Sequence, residues 1–298
     1  MDSREIVIRA IEFKKPPRLP FFQHEIEDIP DDVFECREMD RAKRGWFFDN
    51  AAKDDWGCVW AATEHKNMGQ VIYHPLEDWD RLSTYRPPDP RDKFYFERID
   101  NIISEAGARY VVVTSHFNEL HRRFGDRVNG LFLTDDWGTQ EGTFISPQLF
   151  EHFFLDRYRN LVKAIHDLGW HYILHSCGKI NDFVHYFIDV GVDVINMQQP
   201  LAYGIDEIGR QFAGKICFLT TADIQKTLPG GDPEKVVAEV HELVKKWSTP
   251  GGGFIVYNYG DPDALGVKPE MTKVMFKAFA DLMYYWSEPN RCKNSSGR

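Results

Sequence analysis

The sequence predicts an α/β protein built as a barrel of eight parallel strands with helices outside, the TIM-type (β/α)8 architecture. Apolar runs of about six residues alternate with amphipathic helical segments from residue 109 onward, as they do when helices cover a parallel sheet. A chain of 298 residues is long enough for one such barrel. A doubly wound open sheet is the alternative, but no Gly-x-Gly-x-x-Gly follows a predicted strand, which argues against a dinucleotide-binding fold.

Seven strands of the main sheet are predicted, at residues 18–22, 109–114, 129–134, 170–175, 193–197, 215–220 and 254–258. Helices are predicted at residues 2–14, 91–106, 147–168, 180–190, 205–212, 233–247 and 269–286. Residues 33–80 are expected to be irregular, apart from hairpin strands at 57–62 and 69–73. Only about a dozen residues join Thr114 to Asn129, which is short for a crossover between parallel strands. The sequence therefore also allows a barrel that is shortened by one strand–helix unit.

Composition sets limits on the class of protein. With 43% hydrophobic and 28% charged residues, the chain is expected to form one globular domain over residues 1–289, followed by a flexible tail at 290–298. A formal net charge of −10 argues against a nucleic-acid duplex or an anionic membrane as partner. The five cysteines show no close spacing and form no disulfide framework. Without a signal peptide or an apolar membrane-spanning run, the expected location is the cytoplasm.

Polar side chains collect where the predicted strands end. Because parallel strands end at one rim of a barrel, these side chains are expected to surround a single pocket. The candidates for contact with a substrate are Trp56, Asp135, Trp137, Gln140, Gln198, Asp223 and Tyr259. Each has a structural alternative: the aromatic rings either stack on a flat substrate or fill the mouth of the barrel. Asp223 has the position of a helix cap, and the two Gln amides suit loop hydrogen bonds.

His175 and Cys177 are the candidate metal ligands. They lie two residues apart at the end of a predicted strand, where alternate side chains point to the same face. Neutral imidazole and thiolate both bind zinc, although a His–Cys pair at a core strand is often simply packed. Asp136 and His175 are the candidate catalytic residues, since a carboxylate or an imidazole at this rim can act as a proton donor.

Several motifs together resemble the uroporphyrinogen decarboxylase superfamily, in the right order and over nearly the whole chain. They are 3–5 (Ser-Arg-Glu), 17–20 (Pro-Arg-Leu-Pro), 135–147 (Asp-Asp-Trp-Gly-Thr-Gln-Glu-Gly-Thr-Phe-Ile-Ser-Pro), 175–178 (His-Ser-Cys-Gly), 191–198 (Gly-Val-Asp-Val-Ile-Asn-Met-Gln), 227–229 (Thr-Leu-Pro) and 233–236 (Pro-Glu-Lys-Val). The resemblance implies a barrel of parallel strands, in agreement with the strand pattern. Decarboxylases of this superfamily carry a Gln-Ala-Gly-Arg loop that binds porphyrin carboxylates. Residues 21–28 are acidic here and suit a polyanion poorly.

The chain is more similar to the cobalamin-dependent methyltransferases of that superfamily. The resemblance implies transfer of a methyl group from a small methoxylated or methylated donor, as in an O-demethylase, to a corrinoid cofactor supplied by a partner protein. It also implies zinc bound through a His-x-Cys pair, matched by His175 and Cys177, and a later Cys. That Cys is absent near Tyr259, so Asp136, Glu25 or Asp261 would have to complete the site.

Two other functions remain open from the sequence. A decarboxylase of a uroporphyrinogen-like or small carboxylic acid needs cationic groups, of which Lys179 and Arg210 are the main ones near the rim. A degenerate barrel that only binds a partner is suggested by the missing Cys and by the short connection before Asn129.

Overall fold

Eight parallel strands form the main sheet in the computed structural model, which describes residues 1–23, 26–36, 52–61, 70–114, 117–260 and 262–287. The strands are β1 (Phe21–Phe22), β2 (Val33–Cys36), β6 (Tyr110–Val113), β7 (Gly130–Thr134), β8 (His171–His175), β9 (Val194–Met197), β10 (Cys217–Thr220) and β11 (Phe254–Tyr257). Three short strands, β3 (Ala52–Lys53), β4 (Val59–Ala61) and β5 (Gln70–Tyr73), form a separate antiparallel sheet. The main sheet runs in the order β1-β11-β10-β9-β8-β7-β6-β2. This is the predicted barrel.

Helices follow the strands along the chain. They are α1 (Ser3–Ile11), α2 (Glu97–Ile102), α3 (Phe117–Phe124), α4 (Pro147–Phe150), α5 (Asp156–His166), α6 (Asn181–Val190), α7 (Pro200–Tyr203), α8 (Ile205–Phe212), α9 (Pro233–Trp247) and α10 (Pro269–Asp281). A π-helical turn at Glu151–Leu155 joins α4 to α5, where one uninterrupted helix was predicted. In the described part of the chain, no helix combines the length and apolarity needed to cross a membrane.

Alternating side chains divide the core into two clusters. Val112, Phe132, Ile173 and Leu219 belong to the smaller cluster inside the barrel, whereas their strand neighbours pack outward against the helices. Helix α1 contributes Val7, Ala10 and Ile11 to the inner cluster and thus closes one end of the barrel. The Gly253 N–H donates to the Ala10 carbonyl at 2.7 Å, which ties α1 to the start of β11. The inner faces of the strands therefore lead from an apolar plug to the opposite, polar rim.

The barrel closes between β1 and β2 through Asp32. Its backbone N–H donates to the Phe21 carbonyl at 2.7 Å, and its carboxylate accepts the Phe21 N–H at 3.0 Å. The Arg18 guanidinium binds both oxygens of the same carboxylate, each at 2.7 Å. The Asp32 side chain is fully buried. At the seam between β1 and β2, the hydrogen bonds of this one paired carboxylate therefore take the place of a longer row of hydrogen bonds between strands.

The shortened barrel is not what the structure shows. The eighth strand is β2, in a segment expected to be irregular, and it pairs in parallel with β6 over four residues. The connection between Thr114 and Asn129 contains α3, so it is a complete crossover. The abbreviated connection lies instead between β1 and β2, where residues 26–32 contain only a turn.

The antiparallel sheet confirms the predicted hairpin, because β4 pairs with both β3 and β5. The acidic residues Glu25 and Asp261 and the tail at 290–298 lie outside the described residues. The single-domain boundaries at residues 1–289 remain a prediction.

Candidate functional site

Three ligand-type side chains meet at the carboxyl ends of β7 and β8. His175 is the last residue of β8, Cys177 follows in the next loop, and Asp136 lies in the loop after β7. The His175 Nε2 atom is 3.1 Å from Cys177 Sγ and 3.7 Å from Asp136 Oδ1. One donor atom from each residue lies within 4.8 Å of the other two. We call Asp136, His175 and Cys177 the rim cluster.

A buried amide fixes which nitrogen of His175 faces the rim cluster. The Asn196 Nδ2 donates to the Leu219 carbonyl at 2.8 Å, so Asn196 Oδ1 must be the atom 2.7 Å from His175 Nδ1. Because an amide oxygen only accepts, His175 carries its proton on Nδ1. The Nε2 lone pair then points toward Cys177 Sγ and Asp136 Oδ1. This is the arrangement in which an imidazole is prepared to bind a metal.

Without a bound metal, burial determines the protonation states of His175 and Cys177. Burial lowers the pKa of His175, despite opposing effects of the Asn196 hydrogen bond and the Asp136 carboxylate. Burial, assisted by the Asp136 carboxylate, raises the pKa of Cys177 to about 12. A protonated thiol thus lies 3.1 Å from a neutral imidazole nitrogen and also hydrogen-bonds to the Asp136 carboxylate. A bound cation favours the thiolate instead.

The rim cluster fits zinc. Its donors are one nitrogen, one sulfur and one carboxylate oxygen, all of which are zinc ligands, and a tetrahedral ion places such donors about 3.3–3.6 Å apart. The two distances from His175 Nε2, 3.1 and 3.7 Å, bracket that range. Three protein ligands leave a fourth position open, as in catalytic zinc sites. Of the three carboxylates that the sequence offered, Asp136 is the one among the described residues, and it lies beside His175 and Cys177.

Two glycines bring the loops of β7 and β8 into backbone contact. A Cβ atom on Gly178 would lie 2.1 Å from the Gly138 carbonyl oxygen, and Gly178 has a φ of +75°. A Cβ on Gly138 would lie 2.7 Å from the Gly178 carbonyl carbon. The Lys179 N–H donates to the Thr139 carbonyl at 2.7 Å beside this contact. Only glycine allows the two loops to approach so closely.

Asp135 and Trp137, which flank Asp136, are both tied to Tyr158 of α5. The Tyr158 hydroxyl donates to Asp135 Oδ2 at 2.6 Å and accepts the Trp137 indole N–H at 2.8 Å. The Trp137 ring is buried and packs edge-on against Phe150 and Phe154. The structure therefore places the Trp137 ring in protein contacts, whereas Asp135 is exposed at the rim.

Comparison with known proteins gives the family. A family model for uroporphyrinogen decarboxylase matches residues 112–282, which is more than half of the chain. The chain belongs to the uroporphyrinogen decarboxylase family. The matched residues include the whole rim cluster and every strand from β7 to β11. A search of curated proteins gave no significant match.

One solved structure with a fold like that of this family member is a methyltransferase. A methyltransferase from Methanosarcina mazei has a TM-score of 0.55 and 15% sequence identity, with 76% of each chain covered. A fructose-bisphosphate aldolase from Slackia heliotrinireducens has a TM-score of 0.39 and 10% identity, and covers 94% of this chain and 86% of its own. The first likeness supports the predicted barrel.

The other residues predicted to contact a substrate in this uroporphyrinogen decarboxylase family member differ in their burial and in their hydrogen bonds. Gln198 donates to Asn196 Oδ1 at 2.7 Å, and Gln140 reaches Gln199 Oε1 at 3.4 Å. Asp223 is buried and accepts three backbone N–H groups, from residues 201, 225 and 226, so it fixes loops. Tyr259 is half-buried against the outer core. Trp56 is 58% exposed in the turn between β3 and β4.

Sequence reasoning missed Asn196 and Tyr158. Asn196 is directly opposite His175 in the β8–β9 pairing and belongs to a strand that is otherwise apolar. A buried amide in such a strand needs partners, and this signal was available from the sequence. Tyr158 offered no such signal, because an amphipathic helix often buries a tyrosine.

Proposed function

We propose that this protein is a zinc-dependent methyltransferase, which moves a methyl group from a small methoxylated or methylated substrate to a corrinoid carried by a partner protein. The rim cluster carries the proposal. A nitrogen, a sulfur and an oxygen donor converge at the barrel rim where this architecture performs catalysis, with the His175 tautomer set for metal binding. The fold likeness to a methyltransferase is in keeping with it.

In this proposal Asp136, His175 and Cys177 hold the zinc. When bound, zinc acts as a Lewis acid that polarises the oxygen or sulfur atom bearing the methyl group. Asn196 keeps the His175 proton on Nδ1, so Nε2 remains available. Asp136 is the most exposed member of the rim cluster, with 48% of its side chain accessible. Its oxygen that does not bind the zinc is therefore proposed to accept a hydrogen bond from the water that gives a proton to the leaving atom.

The donor and the corrinoid approach from the open rim. The barrel interior behind His175 is filled by apolar side chains such as Ile173 and Phe132, and α1 closes its far end. The rim is thus the accessible side of the rim cluster. A corrinoid-carrying partner is proposed to dock over it, with the small methyl donor between the two proteins.

Metal content of the purified protein is the first test. We expect about one zinc per chain, and loss of that zinc in the double variant H175A/C177A. A matched control, C58A/H185A, changes the same residue types away from the rim cluster and should keep the metal. Absence of zinc in the wild type, even after incubation with Zn²⁺, would contradict the proposed zinc dependence.

Activity is tested by methylation of added cob(I)alamin from a panel of methoxylated aromatic donors, followed by absorbance. Formation of methylcobalamin that H175A/C177A lacks would support the proposal. Release of carbon dioxide from small carboxylic acids, without cobalamin methylation, would indicate the decarboxylase alternative instead.

A further inference from the structure

We propose that Tyr158 is a positioning residue, which holds the loop after β7 so that Asp136 faces His175 and Cys177. The inference rests on the proposed zinc site and adds a residue from outside the rim to it. Tyr158 lies on α5 and makes no ligand contact itself. It acts through the two neighbours of Asp136 in the chain.

One oxygen atom ties both neighbours. The Tyr158 hydroxyl donates to Asp135 Oδ2 at 2.6 Å and accepts the Trp137 indole N–H at 2.8 Å. An O–H that donates and accepts at once fixes the relative position of its two partners. Since Asp136 lies between these partners in sequence, the two hydrogen bonds restrain the position of its backbone.

A third contact fixes the same loop relative to β8. The Trp137 backbone N–H donates to Ser176 Oγ at 3.0 Å, and Ser176 lies between His175 and Cys177. The Asp136 carboxylate itself is hydrogen-bonded to Cys177, whose backbone N–H donates to Oδ1 at 2.8 Å and whose thiol also hydrogen-bonds to the carboxylate. Because these partners belong to the opposite loop, this half-exposed carboxylate depends on its own backbone for its position relative to that loop.

The Tyr158 phenol is itself held by packing. Its side chain is 6% exposed, and its ring centroid lies 5.7 Å from that of Phe150 and 5.4 Å from that of Phe187. The π-helical turn at Glu151–Leu155 lies between Phe150 and Tyr158, and such turns often occur where a helix serves a functional site. The hydroxyl therefore has one available direction, toward the loop after β7.

The test is the zinc dissociation constant of Y158F, measured by competition with a chromophoric chelator. Removing the hydroxyl leaves the buried Trp137 indole N–H unpaired and frees the Asp135 carboxylate, so the loop loses both of its side-chain hydrogen bonds to α5. We expect zinc binding to weaken by roughly 10- to 100-fold, as for other residues that orient metal ligands. Y186F is the matched control, because the Tyr186 hydroxyl meets Glu151 at 3.5 Å on the exposed surface.

A double-mutant cycle separates positioning from general destabilisation. If Tyr158 acts through Asp136, Y158F should weaken zinc binding in the wild type but not in D136A. The Co²⁺-substituted Y158F should keep the thiolate-to-cobalt absorption of Cys177, while its visible ligand-field bands shift toward those of D136A. Circular dichroism and urea unfolding show whether each variant is folded.

The outcomes distinguish the two proposals. A wild type that binds no zinc overturns the proposed function and this inference together. A wild type that binds zinc while Y158F binds it equally well overturns only the positioning role. Equal losses on the wild-type and D136A backgrounds would also overturn it, because they would mean that Tyr158 does not act through Asp136.

Discussion

Asn196 determines the chemistry that His175 can perform. Its Oδ1 atom accepts hydrogen bonds from His175 Nδ1 and from the Gln198 amide, and its Nδ2 atom donates to the Leu219 carbonyl of the next strand. All three groups are inside the barrel, where competition from water is small. The orientation of one imidazole is thus set by a row of polar groups running across β8, β9 and β10.

The variant N196A is expected to weaken zinc binding by roughly 10- to 100-fold, because Nδ1 loses the acceptor that keeps Nε2 available. Isothermal titration with Zn²⁺ measures the change. N181A is a suitable control, since the Asn181 amide donates to the Tyr203 carbonyl and does not contact His175. Unchanged zinc affinity in a folded N196A protein would show that His175 needs no orienting partner.

The positions of single site residues were predictable where the residues that meet are close in sequence. His175 and Cys177 share a strand end, so period-two geometry alone brings them together. Asp136 was a candidate without a defined place, because its distance from His175 depends on how the β7 and β8 loops pack. For Trp137 the sequence left open whether the ring contacts a substrate or fills the mouth of the barrel, because no local pattern associates it with Phe150 of α4 and Phe154 of the π-helical turn, against which it packs.

At the scale of elements, the contact between Gly138 and Gly178 joins two loops that carry the rim cluster between them. Asp136 precedes one glycine by two residues, and Cys177 directly precedes the other. The separation of the two loop backbones therefore sets the separation of the ligands.

G178A should damage both stability and metal binding. The new Cβ would lie 2.1 Å from the Gly138 carbonyl oxygen, and alanine is strained at a φ of +75°. We expect the free energy of unfolding in urea to fall by about 1–3 kcal/mol, with weaker zinc binding. G142A, in the loop after β7, is the control, because no atom lies within 4 Å of its added Cβ. Equal behaviour of the two variants would contradict this account.

Elements with long apolar runs were predicted well. The six strands β6 to β11 lie within the predicted ranges, because parallel strands covered on both sides need continuous apolar sequence. Strand β2 was missed, since the charged Glu35 interrupts its apolar sequence. Its place depends on pairing with β6, which is distant in sequence and leaves no periodic signal.

At the scale of the whole molecule, a buried acid links stability to pH. Glu239 of α9 is 6% exposed and accepts hydrogen bonds from the Asp223 N–H and from the Thr227 hydroxyl. Burial raises the pKa of Glu239 to about 7, despite these hydrogen bonds. The folded pKa lies above the unfolded one, so the folded state binds the proton more tightly. Glu239 therefore favours folding most at low pH, and this contribution is lost as pH rises through about 7.

E239Q should remove this pH dependence. A shift from 4.5 to about 7 corresponds to about 3 kcal/mol between mildly acidic and alkaline solution. Urea unfolding at pH 5 and at pH 8.5 should show a smaller stability difference in E239Q than in the wild type. E234Q, on the same helix but exposed, should keep the wild-type difference. The same pH dependence in E239Q would show that Glu239 is not the group responsible.

The seam at Asp32 has a consequence for how the protein is made. Strand β1 takes its full ladder from β11, with Phe21 opposite Val256, and reaches β2 mainly through Asp32. Because β1 and β11 lie at opposite ends of the chain, synthesis at about 5–20 residues per second makes β11 emerge from the ribosome tens of seconds after β1. During that interval β1 has no strand to complete its edge, so the nascent barrel stays open. Closure is then a late, long-range event, of the kind that slows folding.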